Sequence, residues 1–328
     1  MKTIAHEFLD IESKYFDVPQ KSYDNLDRLI ELADKRLKRW DLPEEKLKKI
    51  NFLLWREGYL TNANLLLSNS LFTKVIDCKH YSLLFYSIAE ELHLPIEVMN
   101  YPEHVGIKWE DLNTRFLWEP TSGSKLSEEH YIKTFNIPRK SIGKYFIKEI
   151  NRTSLFNICY DVIGLELYGQ EESQEALELL NRALILDPDS YETLINRGTI
   201  RNEQGDVEGA VNDYKRALKI QPCPRLHFTL GYSYIFLGKN DLAEKHYNEA
   251  IKMDKNLPEA YIGRAFLNIG RKRFARALRD CNKAINLDKR DPLGYTHRSE
   301  IHLLMGNEDK AKEDELRYLI AFNALYNN

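Results

Sequence analysis

Small residues recur at a fixed period through the second half of this chain, and that period limits the fold more than any other feature of its 328 residues. Ala176, Ala210, Ala243, Ala277 and Ala311 follow one another at intervals of 34, 33, 34 and 34. A period of this size marks a stack of short supersecondary units, each unable to bury its apolar face alone. A second series, Ala183, Ala217, Ala250 and Ala284, runs seven residues behind the first. Seven residues are two helical turns, so both series lie on one face, where a neighbouring helix can approach closely. The fifth copy breaks the second series with Tyr318.

Gly164, Gly198 and Gly231, with Ala265 and Ser299 as small substitutes, mark the close-packed point of a preceding helix in each copy. Gly205, Gly238 and Gly306 fall between the two helices, where glycine ends a helix in the left-handed conformation. Pro224, Pro258 and Pro292 suit the first turn of the next hairpin. These residues resemble the tetratricopeptide repeat family in five registered copies, from about Asn157 to 325. Departures are Lys255 and Lys289 where a closing proline is usual, and Glu315 where a large apolar residue is expected. The resemblance implies an all-α solenoid lined by the first helix of each repeat, and a protein or peptide as partner. In the third and fourth repeats it implies Arg225, Phe228, Tyr232, Ile235, Phe236, Ile262, Phe266 and Ile269 as groove-lining residues. Such an aromatic stripe suits an apolar or extended peptide; packing against neighbouring helices is the other reading.

The remaining half needs a core of its own, and 43% apolar residues suffice for two. All four tryptophans fall before residue 120, where the helical period gives way to mixed patterns. Helix-like stretches cover roughly 22–38 and 44–57. Asp77 can cap a helix that has Cys78 in its first turn and Tyr81, Phe85, Ile88, Ala89 and Leu92 along a buried stripe. Residues 96–101, 104–109 and 115–119 read as strands, the last two joined by the polar turn 111–114. Folding that hairpin about its turn sets His104 opposite residue 119 or 120, within about one residue of Glu119.

A cysteine at a helix N-terminus, followed by a histidine and a carboxylate on paired strands, is what thiol chemistry needs. The helix dipole and an imidazolium favour the thiolate, and the carboxylate orients the ring. The pieces LHLPIEVMNYPEHVGIKW (92–109), FLWEPTSG (116–123) and YIKTFNIPRKSI (131–142), with the Cys78 helix ahead of them, resemble the transglutaminase-like superfamily. The likeness is greatest to its bacterial branch that carries tetratricopeptide repeats. It implies an α+β, papain-like fold over residues 1–140, with N-terminal helices in 1–57, a connecting segment at 141–156 and the solenoid over 157–325. It also implies Cys78 as nucleophile, His104 as base and Glu119 as the orienting carboxylate, where aspartate is more common in the superfamily. An oxyanion-hole side chain is expected upstream of the cysteine, and Asn69 is the candidate on position alone.

Charge and cysteine usage remove several other classes. Lysine plus arginine (47) nearly balances aspartate plus glutamate (50), which recommends neither nucleic acid nor an anionic membrane as partner. No apolar stretch approaches membrane-spanning length and no signal-like start is evident, so the expected location is the cytoplasm. Cys78, Cys159, Cys223 and Cys281 lie far apart without a CxxC pair or clustered histidines, so no disulfide, metal or cofactor is expected. Cys159, Cys223 and Cys281 suit packing, and His80 and His93 suit structural roles. Arg197, Arg264 and Arg298 recur at equivalent repeat positions, either to read an acidic partner or to pair within the chain. Two functions follow: a cysteine-dependent acyl-transfer enzyme acting on an amide that the repeats recruit, or an interaction scaffold with a degenerate N-terminal domain.

Overall fold

The computed structural model describes residues 2–57, 59–61, 75–76, 78–101, 104–120, 122–134, 139, 142 and 148–326. It divides into two compact units, Met1–Ile200 and Arg201–Asn328. No helix among the described residues is long and apolar enough to cross a membrane.

The first unit opens with α1 (Ile4–Glu12), α2 (Gln20–Arg36) and α3 (Pro43–Arg56), then a two-stranded parallel pair, β1 (Leu60–Thr61) with β2 (Val75–Ile76). Helix α4 (Cys78–Glu91) follows, and then β3 (Ile96–Tyr101), β4 (His104–Glu110), β5 (Arg115–Glu119) and β6 (Ser124–Leu126). After α5 (Glu128–Thr134), β7 (Lys148–Ile150) joins the sheet, whose order is β6-β5-β4-β3-β7 with every neighbour antiparallel. The segment 141–156 is thus more than a connector, since it contains this edge strand and the start of the next helix.

Helix α2 and helix α3 match the stretches read from sequence, whereas α1 is not expected. Its N-terminal amides find partners that no local pattern reveals: Ile4 N donates to Glu90 Oε2 at 2.8 Å, and Ala5 N to Ser87 Oγ at 3.1 Å. Both acceptors belong to α4, so α1 is capped from a distance. Ile4, Phe8 and Leu9 then pack into one core with Leu84, Phe85 and Ile88 of α4 and with Val98, Ile107, Trp109 and Trp118 of the sheet. Strand pleating directs those four sheet residues to the helical side.

The strands fall where the sequence puts them, but the β4–β5 register differs from expectation. The observed pairs run from Ile107↔Trp118 to Glu110↔Arg115. Continued by one step, they set Gly106 rather than His104 or Val105 against Glu119. The turn explains the offset. Asp111 Oδ1 accepts from the amides of Asn113 and Thr114, both at 2.8 Å, and Asp111 N donates to Thr114 O at 2.9 Å. All four turn residues are consumed by this Asx-stabilised loop, which makes Glu110 and Arg115 the closing pair.

Helices α6 (Arg152–Gly169), α7 (Ser173–Leu186), α8 (Tyr191–Glu203), α9 (Val207–Ile220), α10 (Pro224–Phe236), α11 (Asn240–Met253), α12 (Pro258–Gly270), α13 (Phe274–Leu287), α14 (Pro292–Leu304) and α15 (Glu308–Tyr326) follow in the expected order, and α6–α7, α10–α11, α12–α13 and α14–α15 pack as hairpins. The first pair shares the core of the N-terminal unit through Cys159, Ile163, Leu167, Ala176 and Leu180. Pro224, Pro258 and Pro292 each open a helix, as their missing amide allows. Gly205, Gly238 and Gly306 have φ of +85°, +66° and +76°, and Glu171 and Lys272 take the same left-handed conformation in the first and fourth repeats.

Within the second unit the close approach at Gly231 has a visible cause. A Cβ there would lie 2.6 Å from the Tyr247 ring, and one at Gly263 would lie 2.5 Å from it, so Tyr247 fills the space between α10 and α12. The recurring arginines pair within the chain. Arg264 donates to both Asp280 oxygens (2.9 and 2.7 Å) and to Asn248 Oδ1 (2.7 Å), and Arg298 repeats the pattern with Asp314 (2.9 and 2.6 Å) and Asn282 (2.6 Å). Each such arginine ties its own repeat to the preceding one through forked, charge-assisted bonds.

Candidate active site

Cys78 is the first residue of α4, where unpaired backbone amides and the helix dipole favour negative charge. One turn later, buried Ser82 donates its hydroxyl to Val105 O at 2.9 Å. Val105 follows His104, the first residue of β4. This hydrogen bond therefore holds the opening turn of the cysteine helix against the opening of the histidine strand. The far end of α4 is fixed as firmly. Arg152 donates to Glu90 Oε1 at 2.7 Å and to Glu7 Oε1 at 2.6 Å, which joins α4, α1 and α6 and raises the guanidinium pKa further.

Glu119, the last residue of β5, is 7% exposed and pairs with Ser124 of β6. Since Gly106 and His104 are two residues apart on β4, positions 104 and 119 are diagonal neighbours across the ladder, a spacing that long side chains bridge. The register therefore makes two of the three expected positions, 104 and 119, diagonal neighbours, and Ser82, one turn after Cys78, bonds the residue after His104. The side chains of Cys78 and His104, and the whole of Asn69 and Asp77, lie outside the described residues.

One residue of this site is missed by sequence reasoning. Asn51, on α3, accepts a hydrogen bond from Trp118 Nε1 at 2.8 Å and donates its own amide to Pro120 O. It grips the chain on both sides of Glu119. Gly123 completes the clamp: its amide donates to Glu119 O at 2.9 Å, its φ is +63°, and a Cβ there would press on the Asn51 amide at 3.2 Å. The only available signal was an asparagine in an amphipathic helix, which is too common to single out. On the sheet face shared with Glu119, buried Lys108 is ion-paired with Glu97 at 2.7 Å and with Glu110, so its charge is compensated locally.

The expected groove residues separate into two groups. Ile262 and Ile269 are buried, the first against Tyr261 and Ala284 and the second against Ala265, Cys281 and Ile301, which removes them from any binding surface. Both point toward neighbouring helices, an apolar role that composition does not distinguish from groove lining. Phe228 is half-buried, packed at 6.0 Å against the Tyr247 ring, and Ile235 is half-buried as well. Tyr232, Phe236 and Phe266 remain 47%, 61% and 47% exposed, with Tyr232 and Phe236 in edge contact at 4.9 Å. Arg225 is exposed and 3.7 Å from Glu259.

Burial raises the thiol pKa of Cys159 well above the ordinary range and pushes that of Cys281 up to about 12, so both are packing residues. His93 sits at the end of α4 with φ of +51°, exposed and structural. Among the described residues no three or more histidine, cysteine, aspartate or glutamate side chains converge as metal ligands.

The model of the transglutaminase-like superfamily matches residues 20–140, and two tetratricopeptide repeat models match 162–223 and 224–257. The chain joins a transglutaminase-like domain to tetratricopeptide repeats. Its similarity to curated relatives is spread over about a third to two fifths of its length. Human tetratricopeptide repeat protein 13 is 30% identical over 115 residues, covering 34% of this chain and 13% of that protein. Human tetratricopeptide repeat protein 6 is 29% identical over 147 residues, covering 44% and 28%. The chain thus spans less than a third of the length of either. Among solved structures, MamA from Desulfovibrio magneticus RS-1 is 17% identical with a TM-score of 0.47, covering 51% of this chain and 96% of that one. A tetratricopeptide repeat protein from Parabacteroides merdae is 26% identical with a TM-score of 0.47, covering 51% and 66%. The transglutaminase-like match includes Cys78, His104, Glu119 and Asn51.

Proposed function

We propose that the transglutaminase-like domain is a cysteine-dependent acyl-transfer enzyme acting on a peptide or protein amide that the repeats recruit. The observation that carries this reading is the Ser82–Val105 hydrogen bond, which joins the helix begun by Cys78 to the strand begun by His104, beside the buried carboxylate of Glu119. In this reading Cys78 Sγ, deprotonated by His104, adds to the amide carbonyl carbon. The C–N bond breaks, the departing amine takes its proton from His104, and an acyl thioester remains on Cys78. Water or a second amine then attacks the thioester, gives up its proton to His104 and regenerates the thiol. Glu119 keeps the imidazole oriented and stabilises its charged form, and Asn51 keeps Glu119 in place. Exposed Tyr232, Phe236 and Phe266 supply an aromatic surface for an extended substrate.

The deciding experiment compares wild type with Cys78→Ala for labelling by a peptide-like electrophile and by iodoacetamide at neutral pH, with mass spectrometry of acyl adducts trapped from cell extract. The expected result is rapid adduct formation at Cys78 that His104→Ala slows by about a hundredfold or more. Labelling of Cys78 at the rate of an ordinary thiol, unchanged by His104→Ala, would leave an interaction scaffold as the protein's function.

A further inference from the structure

The fourth repeat is strongly basic in a chain that is not. From Pro258 to Asp291 it holds nine lysines and arginines against four aspartates and glutamates, while the whole chain has a net charge of −3. The excess borders a surface cleft of about 240 Å³ between α11, α12 and α13, lined by Glu244, Asn248, Arg264, Arg276, Arg279 and Asp280 among others.

Two of these arginines have no structural task. Arg264 is occupied by Asp280 and Asn248, and Glu244 is occupied by Arg271. Arg276 and Arg279 are exposed and make no ion pair or side-chain hydrogen bond among the described residues. The fifth repeat provides an internal control. Thirty-four residues on, Arg298, Asp314 and Asn282 build the same arginine clamp, but Lys310 and Glu313 stand where the fourth repeat has Arg276 and Arg279. Glu313 is ion-paired with Arg317 at 2.6 Å. The clamp therefore forms without Arg276 and Arg279, and like charges one turn apart on a helix repel.

We propose that Arg276 and Arg279 bind an acidic peptide segment whose carboxylate or phosphoryl group enters this cleft. Two free guanidiniums beside a third held by Asp280 suit the forked geometry of such oxyanions. A peptide fits better than a nucleic acid or an anionic membrane. The cleft has room for one or two acidic groups, and outside this repeat the chain is net negative and repels an extended polyanion.

The test uses the full-length chain and fluorescence anisotropy with three labelled peptides: serine alternating with glutamate, the same peptide with phosphoserine, and a glutamine version. The acidic peptides should bind and the glutamine peptide should not, and the tighter acidic peptide identifies the group recognised. Arg276→Gln with Arg279→Gln should weaken binding by about tenfold or more, with unchanged circular dichroism. Arg279→Glu, which reproduces the fifth repeat's residue, should weaken it as well and guards against a misfolded double variant. Lys289→Gln with Arg290→Gln, basic residues outside the cleft, should leave it within about twofold. Equal loss in both double variants, no binding of either acidic peptide, or tighter binding of duplex DNA or phosphatidylserine vesicles would each overturn the proposal.

Discussion

Arg152 in the N-terminal unit and Arg298 in the repeats make similar forked contacts over very different stretches of chain. Arg152 reaches Glu7 across 145 residues and Glu90 across 62, whereas Arg298 reaches Asp314 and Asn282 across 16 each. The difference lies in how each architecture closes its core. A solenoid repeat needs only its neighbours, so its ties are short, and the arginine clamp of the fourth repeat returns in the fifth. The N-terminal unit must bring α1, α4 and α6 together from distant parts of the chain through a single arginine. Loss of a tie should therefore act locally in the repeats and across several elements in the N-terminal unit, the proposed site included.

The largest expected effect is at Tyr247, which is fully buried and fills the gap left by Gly231 and Gly263. Tyr247→Ala should lower stability by about 3–5 kcal/mol in urea unfolding, because α10, α11 and α12 cannot collapse into the space. Tyr247→Phe sharpens the point. The buried hydroxyl has no hydrogen-bond partner among the described residues, so its removal should leave stability unchanged or raise it. In both variants the labelling rate of Cys78 should match wild type. A slowed rate would break the contrast between local and long-range ties.

Asn51→Ala is the complementary test. It removes the partners of Trp118 Nε1 and Pro120 O and should cost about 1–3 kcal/mol. In contrast to Tyr247→Ala, it should, if the proposed mechanism holds, also slow Cys78-dependent turnover and shift its pH–rate profile, because the proposal gives Glu119 the task of orienting His104. A stability loss with an unchanged pH profile would reduce Asn51 to a packing residue.

This contrast also explains what was legible. The prolines and positive-φ glycines of the repeats are each one of several copies, so spacing alone located them. The strand hairpin was legible because Asp111, Asn113 and Thr114 are strong turn formers, and the register missed because the turn's internal hydrogen bonds are not. Helix α1 and the Asn51 clamp depend on Glu90, Ser87 and Trp118, all more than 60 residues away, and no local pattern encodes such a partner. Spacing left both readings open for buried Ile262 and Ile269, because an apolar residue on a repeat helix serves equally to line a groove or to fill a core.

The smallest effect concerns the third repeat, where the arginine clamp is replaced. In the third repeat Leu230, His246 and Lys215 stand at the places of Arg264, Asp280 and Asn248. His246 Nδ1 instead meets His227 Nδ1 at 3.0 Å, under the Tyr234 ring that Lys215 approaches at 5.6 Å, with Lys245 and Glu249 nearby. Burial first, then the positive neighbours, lowers the pKa of His246 to about 4, and burial lowers that of His227. The sign follows from proton counting. Between about pH 4 and 6.5 the unfolded chain binds more protons at these rings than the folded one, so stability is complete above that range and declines as pH falls through it. His246→Gln should flatten the fall in Tm between pH 6.5 and 4.5 while changing Tm little at pH 8, by a degree or two at most given the half-exposed site. An undiminished slope would mean that acid sensitivity arises elsewhere than at the His227–His246 pair.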